Sequence, residues 1–337
     1  MKLLFIGGTG LISSACSDLA LERGHELFIL NRSVSRKYPI PEGATHLSGD
    51  IHSDTADLSR MLAEHHFDAV VDWIAFTVED VERDLSLFSG KTDQFVFISS
   101  ASAYHKPVKN YLITEETPLG NPFWQYSRNK IACEERLRKA YREDGFPVTI
   151  IRPSHTYGPS QIPLCVSSWN HPWTVIERMK RGQKVIIPGD GTSLWVLTWN
   201  ADFAMGLLGL LGNEKAVGEV FQITSDEVLT WDQIHLEVYQ ALGAKPNVIH
   251  IPSDFIARFD EELLGSLIGD KSNSVVFDNS KIKNFVPEYH CKVTWKEGLR
   301  RSLAWFDAHP EFQTVDERAS SLWDRVIAAY EKALEER

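Results

Sequence analysis

The chain of 337 residues is long enough to bury a large hydrophobic core, as one big domain or as two unequal ones. Its composition, 43% apolar and 24% charged, is ordinary for a soluble globular protein, and no apolar run reaches membrane-spanning length. The net charge of −11 argues against a nucleic-acid partner, and the 4 scattered cysteines form no C-x-x-C pair, which indicates neither a disulfide framework nor a metal site. We therefore expect a cytoplasmic protein without a membrane partner.

The N-terminal half alternates short apolar runs with helical patterns. The apolar runs are bounded by turn residues and predict strands buried on both faces, over residues 3–6, 27–30, 69–74, 95–98 and 148–151. The helical patterns between them cover residues 11–23, 54–65, 78–88 and 125–144. Strand alternating with helix predicts an α/β fold of the Rossmann type, with a doubly wound parallel sheet.

The second half is less regular and richer in Trp, Pro and Gly. A strand is predicted over residues 220–224, and helices near 202–211, 231–242, 295–308 and 317–337. We predict a Rossmann domain over residues 1–160 and a smaller C-terminal lobe over residues 161–337, with segments at about 196–224 returning to the main sheet.

The first predicted strand runs into a glycine-rich loop, GGTGLIS, that opens a helix. A glycine at position 7 can take a backbone conformation closed to other residues, and one at position 10 lets the chain approach a pyrophosphate closely. The helix N-terminus then offers N–H groups to the phosphates. We expect Ser13, in place of a third glycine, to serve helix packing away from these glycines. The loop predicts a dinucleotide cradle rather than a simple tight turn, formed by Gly7, Thr9, Gly10, Leu11 and Ile12.

Two residue pairs come at the end of the second strand and of a third, short strand before residue 50. Asn31-Arg32 stands where a carboxylate would hold the ribose hydroxyls of NAD. Asn31 cannot repel a 2′-phosphate and Arg32 could pair with it, which favours NADP over NAD, although a solvated surface arginine fits as well. Asp50-Ile51 could hold the adenine amino group, and Asp50 could equally form a turn.

A tyrosine and a lysine open the helix at residues 125–144. Tyr126 and Lys130 are spaced i, i+4 and share one helix face, where an ammonium beside a phenol lowers the tyrosine pKa. Ser100 ends the preceding strand and could hydrogen-bond the same substrate oxygen. Such a trio can remove a proton from an alcohol while hydride leaves its carbon for a nicotinamide. His105 and His155 lie near motif ends, where they could assist proton transfer or be structural.

Four motifs together, GGTGLIS, SSAS, YSRNK and IIRPSHTYGP, resemble the extended short-chain dehydrogenase/reductase family, in its NAD(P)-dependent epimerase/dehydratase group. The resemblance implies Ser100, Tyr126 and Lys130 as the catalytic trio, and Pro153 and Ser154 beside the nicotinamide. It implies an NAD(P)-binding first domain, a substrate-binding C-terminal lobe, and a homodimer as the common assembly of the family. The expected reaction is oxidation of a sugar or sugar-nucleotide hydroxyl through a keto intermediate, by an epimerase or a dehydrogenase.

Two departures from the family narrow the substrate and the reaction. Ala101-Ser102 stands where nucleotide-sugar dehydratases carry Asp-Glu, and the glutamate of related decarboxylases is also absent, which disfavours both reactions. Many sugar-nucleotide members place a diphosphate-binding arginine near Leu194-Trp195, and none is present here. This puts a UDP- or GDP-sugar in doubt. A diphosphate would instead need one of Arg178, Lys180, Arg181 and Arg258.

Two non-enzymatic interpretations of the same residues stay open. The GGTGLIS loop with its following Asn-Arg pair also resembles the plant chloroplast RNA-binding branch of the superfamily. A regulator that binds NADP without turnover would also keep the loop. The intact Tyr126/Lys130 pair, the matching Ser100 and the acidic net charge favour an enzyme.

Overall fold

The computed structural model describes residues 1–35, 37–53 and 55–336. The strands are β1 (Lys2–Ile6), β2 (Glu26–Asn31), β3 (Thr45–Ser48), β4 (Ala69–Asp72), β5 (Phe95–Ile98), β6 (Leu112–Ile113), β7 (Val148–Pro153), β8 (His155–Tyr157), β9 (Val185–Pro188), β10 (Leu194–Trp195), β11 (Leu197–Trp199), β12 (Val220–Ile223), β13 (Leu229–Thr230), β14 (Val248–Ile251) and β15 (Val276–Phe277).

The α-helices are α1 (Ser13–Glu22), α2 (Thr55–Met61), α3 (Val78–Phe88), α4 (Gln125–Asp144), α5 (Trp173–Lys180), α6 (Asn200–Leu210), α7 (Trp231–Leu242), α8 (Ser253–Ile256), α9 (Glu261–Leu263), α10 (Ser280–Phe285), α11 (Trp295–Ala308) and α12 (Glu317–Glu335). A π-helical segment, Leu264–Lys271, follows α9 directly. Within the described residues, no helix combines the length and the apolar character needed to cross a membrane.

A parallel sheet of seven strands forms the centre of the molecule, in the order β12-β7-β5-β4-β1-β2-β3. The strand order reverses at β1, because β2 and β3 lie on one side of it and β4, β5, β7 and β12 on the other. Ligands of open α/β sheets bind outside the carboxyl ends of the strands at such a reversal. The fold therefore directs attention to the loops that follow β1 and β4, and it confirms the predicted Rossmann-type sheet.

Alternate residues of the central strands pack into two separate cores. Leu3 and Phe5 face a cluster that includes α1 and α6, whereas Leu4 and Ile6 face a cluster that includes α2, α3 and α4. This burial on both faces explains why the strands appear in the sequence as continuous apolar runs.

The third core lies in the C-terminal half and is rich in aromatic rings. It contains Trp173, Trp195, Trp231 and Trp295, and the rings of Trp195 and Trp231 stack with centroids 5.2 Å apart. Short two-stranded sheets support this region, among them β9 with β14 and β10 with β13. β12 pairs with β7 at the edge of the main sheet. The division at residue 160 stays a prediction.

Candidate functional site

The loop after β1 needs glycine at its first position. Gly7 has φ +88°, and a Cβ placed there would lie 2.8 Å from Cγ2 of Ile74. Both the left-handed backbone and the close approach of the loop after β4 exclude a side chain. The Gly7 N–H donates to the Leu30 carbonyl at the end of β2, 3.0 Å away, which holds the loop against the neighbouring strand.

Ser13 braces this loop from inside. Its Oγ accepts a hydrogen bond from the Gly10 N–H (2.7 Å) and donates to the Gly7 carbonyl (3.1 Å). The prediction that Ser13 lies away from the two glycines is therefore wrong. Because its hydroxyl ties both glycines together at the start of α1, it fixes the loop in one shape.

The predicted ribose-side residues lie beside the same loop. Asn31 Nδ2 donates to Thr9 Oγ1 at 3.0 Å, which joins the end of β2 to the glycine loop. Arg32 Nη1 lies 3.5 Å from Asp50 Oδ2, with 63% of the Arg32 side chain exposed. The following Ile51 is buried. The structure thus brings Arg32 and Asp50 together as an exposed ion pair at the ends of β2 and β3.

Lys130 is buried beneath the start of α4 and bonded to the backbone. Its Nζ donates to the carbonyls of Ala75 and Ile98, each 2.7 Å away, and lies 5.9 Å from the centroid of the Tyr126 ring. Burial lowers the pKa of Lys130 from 10.5 to about 8, although neighbouring groups such as Asp72 act in the opposite direction. The ammonium is thus fixed below the tyrosine by the ends of β4 and β5.

The protonation state of Tyr126 differs from the sequence expectation. Burial raises the pKa of the Tyr126 phenol, the interaction with Ser100 lowers it by less, and the charge of Asp270 raises it further. The prediction that Lys130 lowers this pKa is wrong for the protein alone, since the ammonium turns toward its two carbonyl partners. Tyr126 is therefore a neutral phenol at physiological pH.

Ser100 ends a chain of hydroxyl groups. Its Oγ accepts from the Ser102 N–H (3.1 Å) and lies 2.9 Å from Ser102 Oγ. Ser127, on the first turn of α4, donates to Ser102 Oγ at 2.8 Å. If each hydroxyl donates to the next, the proton of Ser100 is left to point outward. The sequence motif indicated Ser100, but the supporting roles of Ser102 and Ser127 required the fold.

A cavity of about 690 Å³ collects most of the predicted residues. Its walls include, from that set, Gly7, Gly10, Leu11, Ile12, Ser100, Tyr126, Lys130, Pro153 and Ser154. The remaining predicted residues lie outside its walls, and these are Thr9, Asn31, Arg32, Asp50 and Ile51. The arrangement places a glycine loop, a phenol, an ammonium and a hydroxyl around one space. Chemically, it can hold an anionic cofactor beside an oxygen that exchanges a proton.

His155 lines the cavity as an uncharged side chain. Trp195 Nε1 donates to His155 Nδ1 at 3.3 Å, which leaves the ring proton on Nε2. Burial, with a smaller contribution from Lys271, lowers the pKa of His155 to about 3. The imidazole is then a neutral hydrogen-bond donor rather than an acid. His105 lies outside this cavity, with Nδ1 3.0 Å from the Pro107 carbonyl oxygen.

Charged residues that no sequence motif indicated also line the cavity, most of them from the C-terminal half. Lys106, which follows β5, lies 3.5 Å from Asp270 of the π-helical segment, and Lys271 and Glu262 also line the cavity. Lys106 could have been suggested as a cavity residue from the sequence, because it lies only six residues after Ser100. The other three residues carried no such signal.

The model of the NAD dependent epimerase/dehydratase family matches residues 3–224 of the chain. The chain belongs to this family. Its membership confirms the predicted class, an NAD-dependent enzyme of the extended short-chain dehydrogenase/reductase type.

Three curated relatives illustrate the range of the family. The chain is 29% identical over 273 residues to the chloroplast stem-loop binding protein of 41 kDa b of Arabidopsis thaliana, covering 75% of this chain and 67% of the relative. It is 22% identical to UDP-N-acetyl-alpha-D-glucosaminuronate decarboxylase of Bacillus cytotoxicus, covering 90% and 97%. It is 23% identical to 2'-dehydrokanamycin reductase of Streptomyces kanamyceticus, covering 86% and 80%.

Solved structures share the fold over nearly the whole chain. The epimerase Mth375 of Methanothermobacter thermautotrophicus superposes with a TM-score of 0.77 at 19% identity, covering 93% of this chain and 94% of that one. The UDP-glucuronic acid 4-epimerase of Bacillus cereus, in complex with UDP-glucuronic acid and NAD, gives 0.73 at 20% identity, covering 91% and 99%. These likenesses confirm the fold.

Two observations of this structure fit the dinucleotide of the family. Gly7 lines the cavity with φ +88°, so no side chain stands between the backbone of this loop and a ligand. Trp73 also lines the cavity, and its Nε1 is buried without a hydrogen-bond partner among the described residues. A buried donor without an acceptor costs free energy, which a ligand oxygen would recover.

Proposed function

We propose that the enzyme transfers hydride between NAD(P) and the carbon of a sugar hydroxyl, with Tyr126, Ser100 and Lys130 as the catalytic residues. The observation that carries the proposal is that these three side chains and the glycine loop line one cavity, although they come from β5, α4 and the loop after β1. The bound dinucleotide supplies the hydride acceptor or donor. Pro153 and Ser154 would hold its nicotinamide end.

The side chains divide the proton transfer between them. When a substrate ketone is reduced, Tyr126 gives its proton to the carbonyl oxygen, and burial keeps that proton in place beforehand. When an alcohol is oxidised, the phenolate must accept the proton, and Lys130 is the cation that stabilises it. Ser100 donates to the same oxygen, which Ser127 and Ser102 make possible by donating along the hydroxyl chain.

Tyr126→Phe tests the acid–base role. Loss of the hydroxyl should reduce turnover by about 10²- to 10⁴-fold, because positioned proton transfer contributes that much. Binding of NADH or NADPH, followed by nicotinamide fluorescence, should stay within about twofold of wild type. Tyr141→Phe is the matched control on the same helix, since Tyr141 is exposed and far along α4. Full turnover by Tyr126→Phe on every sugar tested would contradict the proposal.

We further propose NADP as the preferred cofactor, carried by Arg32. The exposed guanidinium pairs with the carboxylate of Asp50, and a 2′-phosphate carries more charge than that carboxylate. Arg32→Ala should weaken NADPH about tenfold and NADH hardly at all, whereas Asp50→Asn should strengthen NADPH. Equal affinities of wild type for both dinucleotides, unchanged in Arg32→Ala, would contradict the preference.

We also propose that the enzyme is a homodimer, the common assembly of its family. Light scattering of the purified protein tests this proposal.

RNA binding is the second candidate function, and the Arabidopsis relative named for stem-loop binding favours it. The net charge of −11 opposes it, because phosphate backbones need clustered cations. Thermal shifts with NAD, NADP and a stem-loop RNA separate the two. RNA binding that survives moderate salt, without a shift from either dinucleotide, would overturn the enzyme proposal.

A further inference from the structure

We infer that the substrate of this cavity carries no diphosphate and is an uncharged sugar or glycoside. The inference rests on the proposed function, because it names the substrate class of that same cavity. It follows from the pairing of the charged groups around the substrate and from the aromatic rings beside them.

The cations of the cavity are few. Among the described residues, those that line it are Lys106, Lys130 and Lys271, with no arginine. Lys130 is held by two backbone carbonyls below Tyr126, so it belongs to the catalytic group. Only Lys106 and Lys271 are left to meet a substrate anion in the part of the cavity formed with the C-terminal half.

Both of these lysines already face acidic partners. Lys106 is only 2% exposed, and its Nζ lies 3.5 Å from Asp270 Oδ1. Lys271 Nζ donates to the Cys165 carbonyl at 3.2 Å, and the charges of Asp270 and Glu262 raise its pKa against the larger effect of burial. Lys106 is therefore paired with Asp270, and the carboxyl groups of Asp270 and Glu262 line the same cavity as the two lysines.

A diphosphate would be poorly stabilised in such surroundings. It carries about two negative charges near neutral pH, and a charge moved out of water needs a matching opposite charge. Asp270 would repel it at close range, where water screens the interaction only weakly. Releasing Lys106 for the phosphates would also take from Asp270 the cation that it faces.

The cations that the sequence offered as substitutes do not line the cavity. Arg178 donates to Asp324 (2.6 Å) and to Ser320 Oγ (2.7 Å), and only 3% of it is exposed. Lys180 lies over the ring of Trp173, and Arg181 pairs with Glu177. Arg258 is also outside the residues that line the cavity.

The remaining walls suit an uncharged, hydroxylated ring. Trp124, Trp169 and Trp195 line the cavity, and Trp169 is 64% exposed. Flat aromatic faces pack against the C–H faces of a sugar, and tryptophan adds a polar N–H. His155 and Ser167 add neutral hydrogen-bonding groups. Such a set recognises hydroxyl groups by hydrogen bonding and needs no counter-charge.

UDP is the probe for the charge argument, used on the dinucleotide-bound enzyme in isothermal titration. Wild type should show no binding at UDP concentrations up to about 1 mM. Its dissociation constant for UDP is then above about 1 mM, which corresponds to less than about 4 kcal/mol of binding free energy. Asp270→Asn should improve UDP affinity about tenfold or more, because it frees Lys106 and removes a repelling charge. Lys106→Met is the matched control, which removes a cation of the same pair and should bring no gain. A dissociation constant of wild type for UDP below about 0.1 mM would overturn the inference.

A turnover comparison tests the same inference without a variant. We expect kcat/KM for an uncharged methyl glycoside to exceed that for the UDP derivative of the same sugar by at least about tenfold. The reverse order would overturn the inference and leave the proposed function intact. Failure of the proposed function has a different signature, since Tyr126→Phe would then retain full turnover or the enzyme would bind no dinucleotide.

Discussion

Replacing Lys130 by methionine should remove a pH dependence of folding stability. Burial lowers the pKa of this lysine from 10.5 to about 8. A pKa lowered by one corresponds to about 1.4 kcal/mol, so the folded state without dinucleotide bears a cost of about 3 kcal/mol while the lysine is charged. The cost comes from burying the Lys130 ammonium.

The sign of the effect follows from proton uptake. Below pH 8 the lysine is protonated in both states, and the full cost is present. Between pH 8 and 10.5 the folded lysine has lost its proton while the unfolded one keeps it, so the unfolded state binds more protons. Stability contributed by this group therefore rises with pH through that window and is constant outside it.

The absolute stability of the variant at neutral pH is a poorer readout. Methionine relieves the burial of charge, but it leaves the carbonyls of Ala75 and Ile98 without their donor, at about 1–3 kcal/mol each. These opposing changes nearly cancel. The difference in pH slope between wild type and variant contains the titration of Lys130 and the smaller influence of its charge on neighbours such as Cys133.

Urea unfolding from neutral pH to about 10, without dinucleotide, measures this slope. The free energy of unfolding of wild type should gain up to about 3 kcal/mol relative to Lys130→Met across the window. Lys139→Met is the control on the same helix, because that side chain is 59% exposed. Parallel pH curves for wild type and Lys130→Met would refute the assignment of the lowered pKa to Lys130.

Two other changes test the glycine loop and the buried ion pair. Ser13→Ala should weaken dinucleotide binding about tenfold in a fluorescence titration, because the loop loses both hydrogen bonds of the Ser13 hydroxyl. Ser14→Ala is the control. An equal loss of dinucleotide affinity in both variants would contradict the bracing role of Ser13. Glu134→Gln should lower the free energy of unfolding by about 3 kcal/mol in urea, since it leaves Arg152 buried without its counter-ion. Glu82→Gln breaks an exposed pair and should cost less than about 1 kcal/mol, and similar costs for both would contradict the expected difference.

The helix that carries Tyr126 and Lys130 could be predicted from the sequence to its last residue. α4 spans Gln125–Asp144, as the pattern indicated. Trp124 is extended before it and Gly145 takes φ 69° after it, so local backbone preferences decide both ends. The predicted strand over residues 69–74 is too long, because β4 ends at Asp72. There the Asp72 carboxylate accepts from the N–H groups of Ile74 and Ala75 and turns the chain.

The charge pairing of the substrate cavity lay beyond sequence reasoning. Lys106 and Asp270 come from opposite halves of the chain, and neither belongs to a motif. Only the position of the π-helical segment against the loop after β5 brings them within 3.5 Å. Long-range pairs of this kind depend on how the two halves pack, whereas the motifs depend on local turns and helix spacing.

Tyr126 and Lys130 show why a correct motif can still give the wrong protonation state. Spacing of i, i+4 places both side chains on one helix face, and this holds in the structure. It says nothing about competing partners, and the two carbonyls at the ends of β4 and β5 are the closer ones for the ammonium. Tyr126 is left with burial as the main influence, which keeps it protonated. The motif therefore identifies which groups meet, while the carbonyls around them decide where the ammonium points.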